Sequence, residues 1–437
     1  MTMSRIPQIY VGLFGLGTVG GGVYTIMEKN RELISKKLGF PIQIKKICDP
    51  DPKKSKNFHV PSSALTTKPN DILDDPEISI IVELIGDKPV AREIMSSALN
   101  LGKHVVTANK AILAQHGPEL YALASKNEVD ILFEAAVAGS IPILRSIREG
   151  FIADSIKSIQ GIINGTANFI LTEMSEKKRD FSAVLLDAQK AGFAESNPAS
   201  DIEGHDTAHK LSILSTMAYG AIVPVDKVYT EGITNITAFD FEMAERFGYS
   251  IKLLAISKKI NDEIEARVHP TMIPKEQMLA SVRGAYNAIL VNGEYIGQSM
   301  QYGLGAGSLP TATAVVADIV EIARNIALRV RGVPPMGYRI EEMPKAKIRS
   351  MEDIESSYYL RFTTQDKPGV FAKIANALGQ NHVSISSVYQ HGREEDKEIP
   401  IVVVTHLSKE KNMMMALKEI DRLSVITQKT TVIRIES

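Results

Sequence analysis

Short apolar runs alternate with amphipathic stretches over the first third of the chain. The runs with buried-strand character are residues 8–14, 42–49, 78–85, 104–108 and 129–135. Helix-like stretches lie between most of them, at residues 18–37, 89–101 and 110–125. Buried strands that alternate with helices form a parallel sheet covered on both faces. We therefore predict a doubly wound α/β domain over residues 1–133.

The pattern over residues 134–309 is less regular and is typical of an α+β domain. Ser200 and Glu203 are spaced as a capping box, which predicts one long helix from about Ser200 to Tyr219. Asn292-Gly293 separates two strand-like segments and predicts a type I′ hairpin turn. A glycine-rich loop then opens a helix near residues 310–332, which we expect to pack back on the first domain.

The last part of the chain has its own pattern. Residues 333–355 are rich in proline and charge and are typical of a connector. Residues 356–437 show the order strand, helix, strand, strand, helix, strand, which predicts a ferredoxin-like unit. Pro368 is predicted to open the first helix of this unit, because proline suits the first helical turn.

Gly15, Gly17 and Gly20 form the pattern G-x-G-x-x-G between the first strand and the first helix. In this context the glycines allow a tight turn, close approach of a pyrophosphate and close packing of helix on strand. The helix N-terminus attracts the phosphates. The pattern predicts a Rossmann-type dinucleotide site that Thr18 and Val19 also contact. The alternative is a glycine-rich turn without a ligand.

The residues leave the choice of dinucleotide open. Asp49 ends the second strand, where a carboxylate usually accepts the ribose hydroxyls of NAD. It follows Gly20 by 29 residues, more than the usual ~20, and the long first helix can absorb the difference. Lys53, Lys54 and Lys56 could instead hold the 2′-phosphate of NADP, or form a solvated loop. NAD, NADP and dual use all remain compatible with the sequence.

Acidic residues and a lysine are concentrated in AESNPASDIEGHDTAHK, residues 194–210. Asp206 and Lys210 are i,i+4 neighbours on a stripe that continues into apolar residues, so we expect them to face a cleft. The opposite stripe is predicted to be the solvent side, and it carries His205, His209, Ser212 and Thr216. The alternatives are a solvated ion pair and a zinc site on H-x-x-x-H, which lacks the Glu of H-E-x-x-H.

Two further segments follow strands of the predicted parallel sheet. Lys110 comes after the strand at 104–108, and ligands of such sheets bind beyond the carboxyl ends of the strands. We therefore expect Lys110 to point at the active site, the alternative being an exposed lysine at a helix start. FEAAVAGSIPI, residues 133–143, ends the last strand in small residues that let backbone carbonyls face a ligand or cation.

Composition argues against several classes of function. The chain has 437 residues with 50 basic and 51 acidic side chains, so we expect no bulk attraction to nucleic acid or to an anionic membrane. No run reaches the ~18 apolar residues of a spanning helix, and the N-terminal segment has no secretory pattern. Cys48 is the one cysteine, which excludes an internal disulfide and leads us to expect a cytoplasmic protein.

Over essentially its whole length the chain resembles the homoserine dehydrogenase family with a C-terminal ACT domain. The motifs that carry the resemblance are GLGTVG, TANKA, FEAAVAGSIPI, GIINGTANFIL, NPASDIEGHDTAHKL, YGLGAGSLPTATAV and DKPGVFAKIANAL. Two departures occur: Cys48-Asp49 stands where the family often has Arg, and NGTANF stands where it usually has NGTTNY. The resemblance implies reversible NAD(P)-dependent hydride transfer between L-aspartate 4-semialdehyde and L-homoserine, within threonine, methionine and isoleucine biosynthesis.

The resemblance implies roles for named residues. Lys210 is the general acid and base, and Lys110 polarises the carbonyl and contacts the cofactor. Glu195 and Asp206 bind the substrate, mainly its ammonium group, and Asp201 lies near the reacting end. Additional cofactor contacts are implied at Phe14, Gly192, Gly305 and Gly307. A monovalent cation, expected to be sodium, is implied at Glu134 and at the backbone carbonyls of Val137, Gly139 and Ile141.

The resemblance also bears on assembly and regulation. Residues 134–309 would bind the substrate and form the dimerisation domain of a homodimer or homotetramer. The ACT-like unit implies inhibition by L-threonine, with a site near Gly369, Asn381, Val383 and Ser384. A role in assembly alone is the alternative for this unit.

Two other functions are alternatives to the one that the resemblance implies. An aspartate-semialdehyde dehydrogenase needs a nucleophilic cysteine, and Cys48 lies on the adenosine side of the predicted fold. A non-catalytic protein that senses nucleotides and amino acids would bind the dinucleotide without turnover. The cluster from Glu195 to Lys210 argues against the second rival.

Overall fold

The computed structural model describes residues 8–86, 89–390 and 398–436. The chain divides into two compact units. The first comprises Met1–Ile159, His209–Val228 and Asn287–Ala346, and the second comprises Gln160–Ala208, Tyr229–Tyr286 and Lys347–Ser437. Within the described ranges, no helix combines the length and apolar character needed to cross a membrane.

The described residues form strands and α-helices that we number in chain order. The strands are β1 Ile9–Phe14, β2 Ile42–Cys48, β3 Leu65–Thr66, β4 Ile78–Glu83, β5 His104–Thr107, β6 Ile131–Leu132, β7 Ile156–Ile162, β8 Tyr229–Thr230, β9 Tyr249–Ile260, β10 Glu263–Pro274, β11 Tyr286–Gly293, β12 Gly297–Leu304, β13 Glu355–Gln365, β14 Ile385–Gln390, β15 Glu398–Thr405, β16 Ser408–Lys409 and β17 Thr431–Ile435. The helices are α1 Thr18–Lys29, α2 Arg31–Leu38, α3 Asn70–Leu73, α4 Pro89–Asn100, α5 Lys110–Lys126, α6 Ile143–Arg145, α7 Gly165–Lys177, α8 Phe181–Lys190, α9 Ala199–Ile202, α10 His205–Tyr219, α11 Ala238–Arg246, α12 Ser308–Leu328, α13 Val370–Gln380 and α14 Glu410–Ile420.

A parallel six-stranded sheet forms the core of the first unit. Its strand order is β3-β2-β1-β4-β5-β6, and all neighbouring strands run parallel. The central strands β1 and β4 are almost entirely buried, as expected when helices cover both faces of a parallel sheet. The predicted doubly wound parallel sheet is confirmed, and its strand order reverses between β1 and β4, where such sheets bind their ligands.

Two local predictions for this unit are wrong. The single helix predicted over residues 18–37 is two helices, because Asn30 has φ −105° and ψ 18° and interrupts the helical backbone. Asparagine competes with helical hydrogen bonding in this way. The predicted last strand at 129–135 is only Ile131–Leu132, since the chain turns into a short 3-10 helix at Glu134–Ala136.

Helix α12 packs against α1 in the core of the first unit. Val315 and Ile319 of α12 share a buried cluster with Val23 and Met27 of α1. The Ser308 hydroxyl donates to the carbonyl oxygen of Thr18 at 2.6 Å. A distant segment of the sequence therefore completes one face of the parallel sheet.

The predicted hairpin exists, but its turn is not the predicted one. Asn292 and Gly293 lie inside β11, and the connection to β12 is residues 294–296. The Asp154 carboxylate accepts hydrogen bonds from the backbone N–H groups of Tyr295 and Ile296, at 3.1 and 2.7 Å. The turn is longer than predicted, and a remote carboxylate stabilises it. The prediction of a two-residue type I′ turn is therefore wrong.

The second unit contains a mixed sheet in which strands from two parts of the sequence lie side by side. Its order is β9-β10-β17-β13-β15-β14. Strand β17 runs parallel to β10 and antiparallel to β13, so the last strand of the chain links the earlier hairpin to the C-terminal strands. Helices α13 and α14 contribute the rest of the C-terminal core, and the predicted strand–helix order of the ferredoxin-like unit is confirmed.

The prediction for Pro368 is wrong. Helix α13 begins at Val370, after Gly369, which has a left-handed φ of 86°. A proline at the start of the helix would need a helical residue directly after it. The left-handed glycine instead separates Pro368 from the helix and shapes the loop before it.

A buried cation connects the last strand with the rest of the second unit. Arg434 is 4% exposed and donates to the carboxylates of Glu410 and Glu231, at 2.9 and 3.0 Å. Its guanidinium also lies over the ring of Tyr229. These partners raise the pKa of Arg434 even though burial alone would lower it. A buried charge with complete pairing is stable, whereas removal of one partner leaves the other charge uncompensated.

We expect Arg434→Met to lower the free energy of unfolding by about 3–5 kcal/mol, because Glu410 loses its buried cation. Arg283→Met is the matched control, since Arg283 is 74% exposed and pairs with Glu176 at the surface. The control should cost less than about 1 kcal/mol. Denaturant unfolding of the two variants compares the costs, and equal losses would contradict this account of the buried cluster.

Candidate active site

The glycine turn between β1 and α1 has the geometry of a dinucleotide site. Gly15 has a left-handed φ of +93°, and a Cβ there would lie 2.5 Å from the Leu84 carbonyl oxygen. A Cβ at Gly20 would lie 2.0 Å from the carbonyl oxygen of Gly15. At Gly17, by contrast, no atom lies within 4 Å of the added Cβ. Two glycines are therefore needed by the turn itself, while the third borders open space suited to a pyrophosphate.

Asp49 is tied into this turn. Its buried carboxylate accepts hydrogen bonds from the N–H groups of Leu16 and Asp51, at 2.7 and 2.9 Å. Lys54 lies 3.1 Å from both of its oxygens. Burial would raise the pKa of Asp49, but these bonds and the lysine lower it overall. Asp49 therefore remains ionised and anchors the glycine turn, and Lys54 offsets its charge.

Most of the other predicted cofactor residues lie along or beside this turn. Phe14 is buried at the end of β1, Thr18 is exposed, and Val19 is partly buried. Gly307 precedes α12 with a φ of +121°, and its neighbour Ser308 bonds to Thr18. Gly305 comes so close to Gly139 that a Cβ on Gly139 would lie 2.5 Å from the Gly305 carbonyl oxygen. Gly192 lies in the second unit, after α8, with a φ of +77°.

Lys110 begins α5, immediately beyond the carboxyl end of β5. Its neighbour Asn109 caps the helix by accepting from the N–H of Ile112, and it donates to the carbonyl oxygen of Gly86 at 2.7 Å. Thr107 donates to the carboxylate of Glu83, also at 2.7 Å. Lys110 is partly buried, which disfavours the alternative of an ordinary exposed lysine.

Sequence reasoning missed the role of Glu83 in this network. Glu83 is fully buried at the carboxyl end of β4, and burial raises its pKa. Its side chain accepts from Thr107 and from the N–H of Ile85. An acidic residue inside the apolar run of a central strand was the available signal, since such a group is buried only with partners.

A cluster of two carboxylates forms the acidic part of the site in the second unit. Asp201 lies in α9 and Asp206 in the first turn of α10. The side-chain nitrogen of Asn164 donates to both, at 2.7 Å to Asp201 and 2.8 Å to Asp206. Asp206 is buried, so the alternative of a solvated surface ion pair is disfavoured. Lys210 follows one helical turn later on α10 and is partly buried.

The predicted helix start at Ser200 is wrong. Ser200 belongs to the short α9, and the long helix begins at His205 after Gly204. Gly204 has a left-handed φ of +87°, and a Cβ there would lie 3.1 Å from the Thr230 side chain. The chain therefore turns sharply between Asp201 and Asp206, which no capping box at Ser200 would allow.

The predicted solvent stripe of the long helix is only partly exposed. His205 is exposed and His209 partly so, whereas Ser212 and Thr216 are buried. Ser212 donates to the carbonyl oxygen of Val223 at 2.7 Å, and Thr216 accepts from the N–H of Val223 at 3.1 Å. Small hydroxyl side chains can be buried when the backbone satisfies them, so polarity was a poor guide to exposure here.

Glu195 lies apart from the buried carboxylates within the second unit. It is exposed, in the loop that follows α8, and its carbonyl oxygen accepts from Gln189 at 3.0 Å. An exposed carboxylate on a loop can adjust to a ligand more easily than Asp206, which is held on a helix.

The segment predicted to hold a cation has an unusual backbone. Ala138 and Gly139 both have left-handed φ values, 55° and 56°. The buried carboxylate of Glu134 accepts from the N–H groups of Leu144 and Arg145, at 2.9 and 2.8 Å. Burial raises the pKa of Glu134.

The other predicted cation donors are backbone carbonyls of Val137, Gly139 and Ile141, and that of Ile141 accepts from the N–H of Ile143. One carboxylate and three backbone carbonyls are, by their chemistry, a donor set that fits a hard cation of low charge. Across the described ranges, no group of three or more His, Cys, Asp or Glu side chains is placed to hold a metal.

The ACT-like unit contains a cavity of about 470 Å³. Gly369 lines it, together with residues at the end of β13 and the start of α13. Val383 is buried in the hydrophobic core of this unit. Asn381 donates to the carbonyl oxygen of Ala377 at 2.9 Å, and the Ser384 carbonyl accepts from His406. Of the four residues predicted for regulation, Gly369 is the one that lines the cavity.

Cys48 is poorly suited to nucleophilic chemistry. It is buried at the end of β2, and burial raises its pKa to about 11. Nucleophilic cysteines need an accessible thiolate with a lowered pKa. The rival function of an aspartate-semialdehyde dehydrogenase is therefore disfavoured.

Comparison with known proteins decides the family. A model described as "Homoserine dehydrogenase" matches residues 142–320, one described as "Homoserine dehydrogenase, NAD binding domain" matches residues 15–134, and an ACT domain model matches residues 358–422. A homoserine dehydrogenase of Neisseria gonorrhoeae is 44% identical over 99% of both chains. That of Bacillus subtilis is 39% identical over 99% of both chains. The chain belongs to the homoserine dehydrogenase family.

Solved structures agree with this assignment. The homoserine dehydrogenase from Thiobacillus denitrificans matches with a TM-score of 0.93 and 43% identity, over 98% of each chain. The enzyme from S. aureus matches with a TM-score of 0.77 and 32% identity, over 99% of this chain and 100% of that one. The protein is an NAD(P)-dependent oxidoreductase with a C-terminal ACT domain.

The glycine turn offers a test with a built-in control. Gly20→Ala should lower the melting temperature and weaken dinucleotide binding, because its Cβ would collide with the carbonyl oxygen of Gly15. Gly17→Ala should leave the melting temperature unchanged and still weaken binding about tenfold or more, because the added methyl group occupies the space needed for the pyrophosphate. Calorimetric titration with reduced dinucleotide measures the affinities. Full affinity in the folded Gly17→Ala variant would place the cofactor elsewhere.

Proposed function

We propose that this chain catalyses reversible hydride transfer between L-aspartate 4-semialdehyde and L-homoserine, with NAD or NADP as cofactor. One observation carries the proposal: the Asn164 amide binds two carboxylates, the partly buried Asp201 and the buried Asp206, and Asp206 precedes Lys210 by one helical turn in a chain that also has a dinucleotide-binding turn. The substrate is an amino acid with a cationic ammonium group and a reacting oxygen. Binding such a molecule requires carboxylates near its ammonium group, and reduction requires a proton donor near its reacting oxygen.

The protein residues supply binding and proton transfer in this proposal. The bound nicotinamide supplies the hydride in one direction and accepts it in the other. Lys210 donates a proton to the oxygen as the aldehyde is reduced and takes it back in reverse. Lys110 polarises the carbonyl and stabilises the charge that develops on its oxygen. Glu195 and Asp206 bind the ammonium group, and Asp201 lies near the reacting end.

The surroundings of Asp49 support the use of either cofactor. Its carboxylate can face the ribose hydroxyls of NAD, whereas Lys54 beside it offers a cation for the 2′-phosphate of NADP. A hyperthermophilic archaeal homoserine dehydrogenase, 26% identical over 72% of this chain, is described in complex with NADPH. We therefore propose NADP as a cofactor and NAD as an alternative that the same turn accepts.

A monovalent cation, sodium, belongs to the proposal as a structural ion. Glu134 and the carbonyls of Val137, Gly139 and Ile141 would hold it, and it would order the loop that meets Gly305. The cation takes no part in proton or hydride transfer. We also propose a cytoplasmic homo-oligomer, a dimer or tetramer, in which paired ACT units bind the effector.

Turnover tests the function directly. The full chain incubated with L-homoserine should reduce NADP or NAD, which the nicotinamide absorbance reports, and parallel assays rank the two cofactors. Dinucleotide binding without any turnover of L-homoserine or L-aspartate 4-semialdehyde would favour the non-catalytic sensing protein instead.

Lys210→Ala should lower turnover by about 10²–10⁴-fold, since the alkoxide loses its proton donor. Dinucleotide affinity and melting temperature should stay within error of the unsubstituted protein. Lys227→Ala is the control, because that lysine is 63% exposed and lies beyond the end of α10. Near-normal activity in Lys210→Ala would move the acid–base role to Lys110.

L-threonine should bind the ACT cavity and inhibit the enzyme, because the cavity of about 470 Å³ is large enough for an amino acid. Strand β17 belongs to the same sheet as β10, so the test uses the intact chain and not a truncation. Calorimetric titration and initial rates with L-threonine, with D-threonine as the control, measure binding and inhibition. Binding without inhibition would favour a role in assembly alone.

A further inference from the structure

We propose that Asn164 is a positioning residue that holds Asp206 at the ammonium group of the substrate and Asp201 near its reacting end. The inference rests on the proposed function and deepens it, since it names a residue outside the acidic motif that selects α-amino acids. Asn164 contacts no proposed reacting atom. It acts through the two carboxylates.

The geometry assigns every hydrogen-bonding atom of the Asn164 side chain. The side chain is buried, 5% exposed, at the end of β7 and directly before α7. Its nitrogen donates at 2.7 Å to Asp201 and at 2.8 Å to Asp206. Its oxygen accepts from the N–H of Ala167 at 2.7 Å and caps α7. The orientation of the amide is unambiguous, because carboxylates accept and the backbone N–H donates.

The chemistry of an amide explains why this residue suits the position. Two carboxylates that accept from one nitrogen repel each other. The amide is neutral and supplies one N–H to each carboxylate, so it fixes their separation without adding a charge of its own. The ammonium group of an α-amino acid is a cation that Asp206, held in this way, can bind.

The backbone around the cluster gives Asn164 a fixed position. A Cβ on the next residue, Gly165, would lie 2.8 Å from the carbonyl oxygen of Ala285, so only glycine allows this approach. On the other side, a Cβ on Gly232 would lie 2.4 Å from the carbonyl oxygen of Ile202. Asp206 lies in the first turn of α10, where the helix dipole favours the ionised carboxylate. The Asn164 amide therefore links α7, α9 and α10, whose positions the packing already constrains.

Two variants separate the positioning role from the capping role. Asn164→Ser and Asn164→Asp both keep an oxygen that can cap α7. Asn164→Ser replaces the two amide donors by one hydroxyl, which cannot donate to both carboxylates, and we expect the KM for L-homoserine to rise roughly ten- to a hundredfold while the KM for the dinucleotide changes little. Preference for L-homoserine over 4-hydroxybutanoate, which lacks the amino group, should fall by a similar factor.

Asn164→Asp adds a third carboxylate to the pair. Neighbouring negative charges raise carboxyl pKa values, so at least one of the three groups takes up a proton at a higher pH. The acid limb of kcat/KM for L-homoserine should therefore move to higher pH, and that for the dinucleotide should not move. If Asn164 only stabilised the fold, the acid limb of kcat/KM for L-homoserine would not shift.

The outcomes are distinguishable. A folded Asn164→Ser variant with unchanged KM and unchanged preference for L-homoserine would overturn the positioning role. If that variant does not fold, an unmoved acid limb in Asn164→Asp would overturn it. If the unsubstituted protein turns over neither L-homoserine nor L-aspartate 4-semialdehyde, the proposed function fails instead.

Discussion

Two neighbouring carboxylates stay close together only when other groups bind them against their mutual repulsion. In this protein the amide nitrogen of Asn164 binds both Asp201 and Asp206. The sharp turn at Gly204 makes the arrangement possible, since it brings α9 and the start of α10 to the same amide. The same backbone turn sets where α10 begins and so fixes the position of Lys210, which lies one helical turn further along this helix. The proposed substrate chemistry depends on this small set of contacts.

The C-terminal ACT domain is part of the sheet that supports this cluster. Arg434 on β17 binds Glu231, and the N–H of Glu231 donates to Val268 on β10. The next residue, Gly232, packs against Ile202, just before Gly204. Side-chain and backbone contacts within the second unit therefore run from the last strand of the chain, through Glu231 and Gly232, to the segment that carries Asp201.

The glycine turn of the dinucleotide site depends mainly on its backbone conformation. Gly15 and Gly20 allow a turn that side chains would block, and Asp49 ties this turn to the end of β2. Asp49 was predicted as a ribose acceptor from its position after a strand. The structure adds a second task, because both of its oxygens accept backbone N–H groups of nearby residues. Lys54 offsets the negative charge of Asp49 and so sets the net charge next to a bound nucleotide.

The sequence by itself determined the parallel sheet, the glycine turn, the ferredoxin-like unit and the acidic motif with its lysine. These features depend on residues close together in the chain, and short-range periodicity and spacing reveal them. Only the tertiary structure decided the break at Gly204, the longer hairpin turn held by Asp154, and the burial of Ser212 and Thr216. It also decided the roles of Glu83 and Asn164. Each of these depends on a partner distant in sequence, which no local pattern specifies.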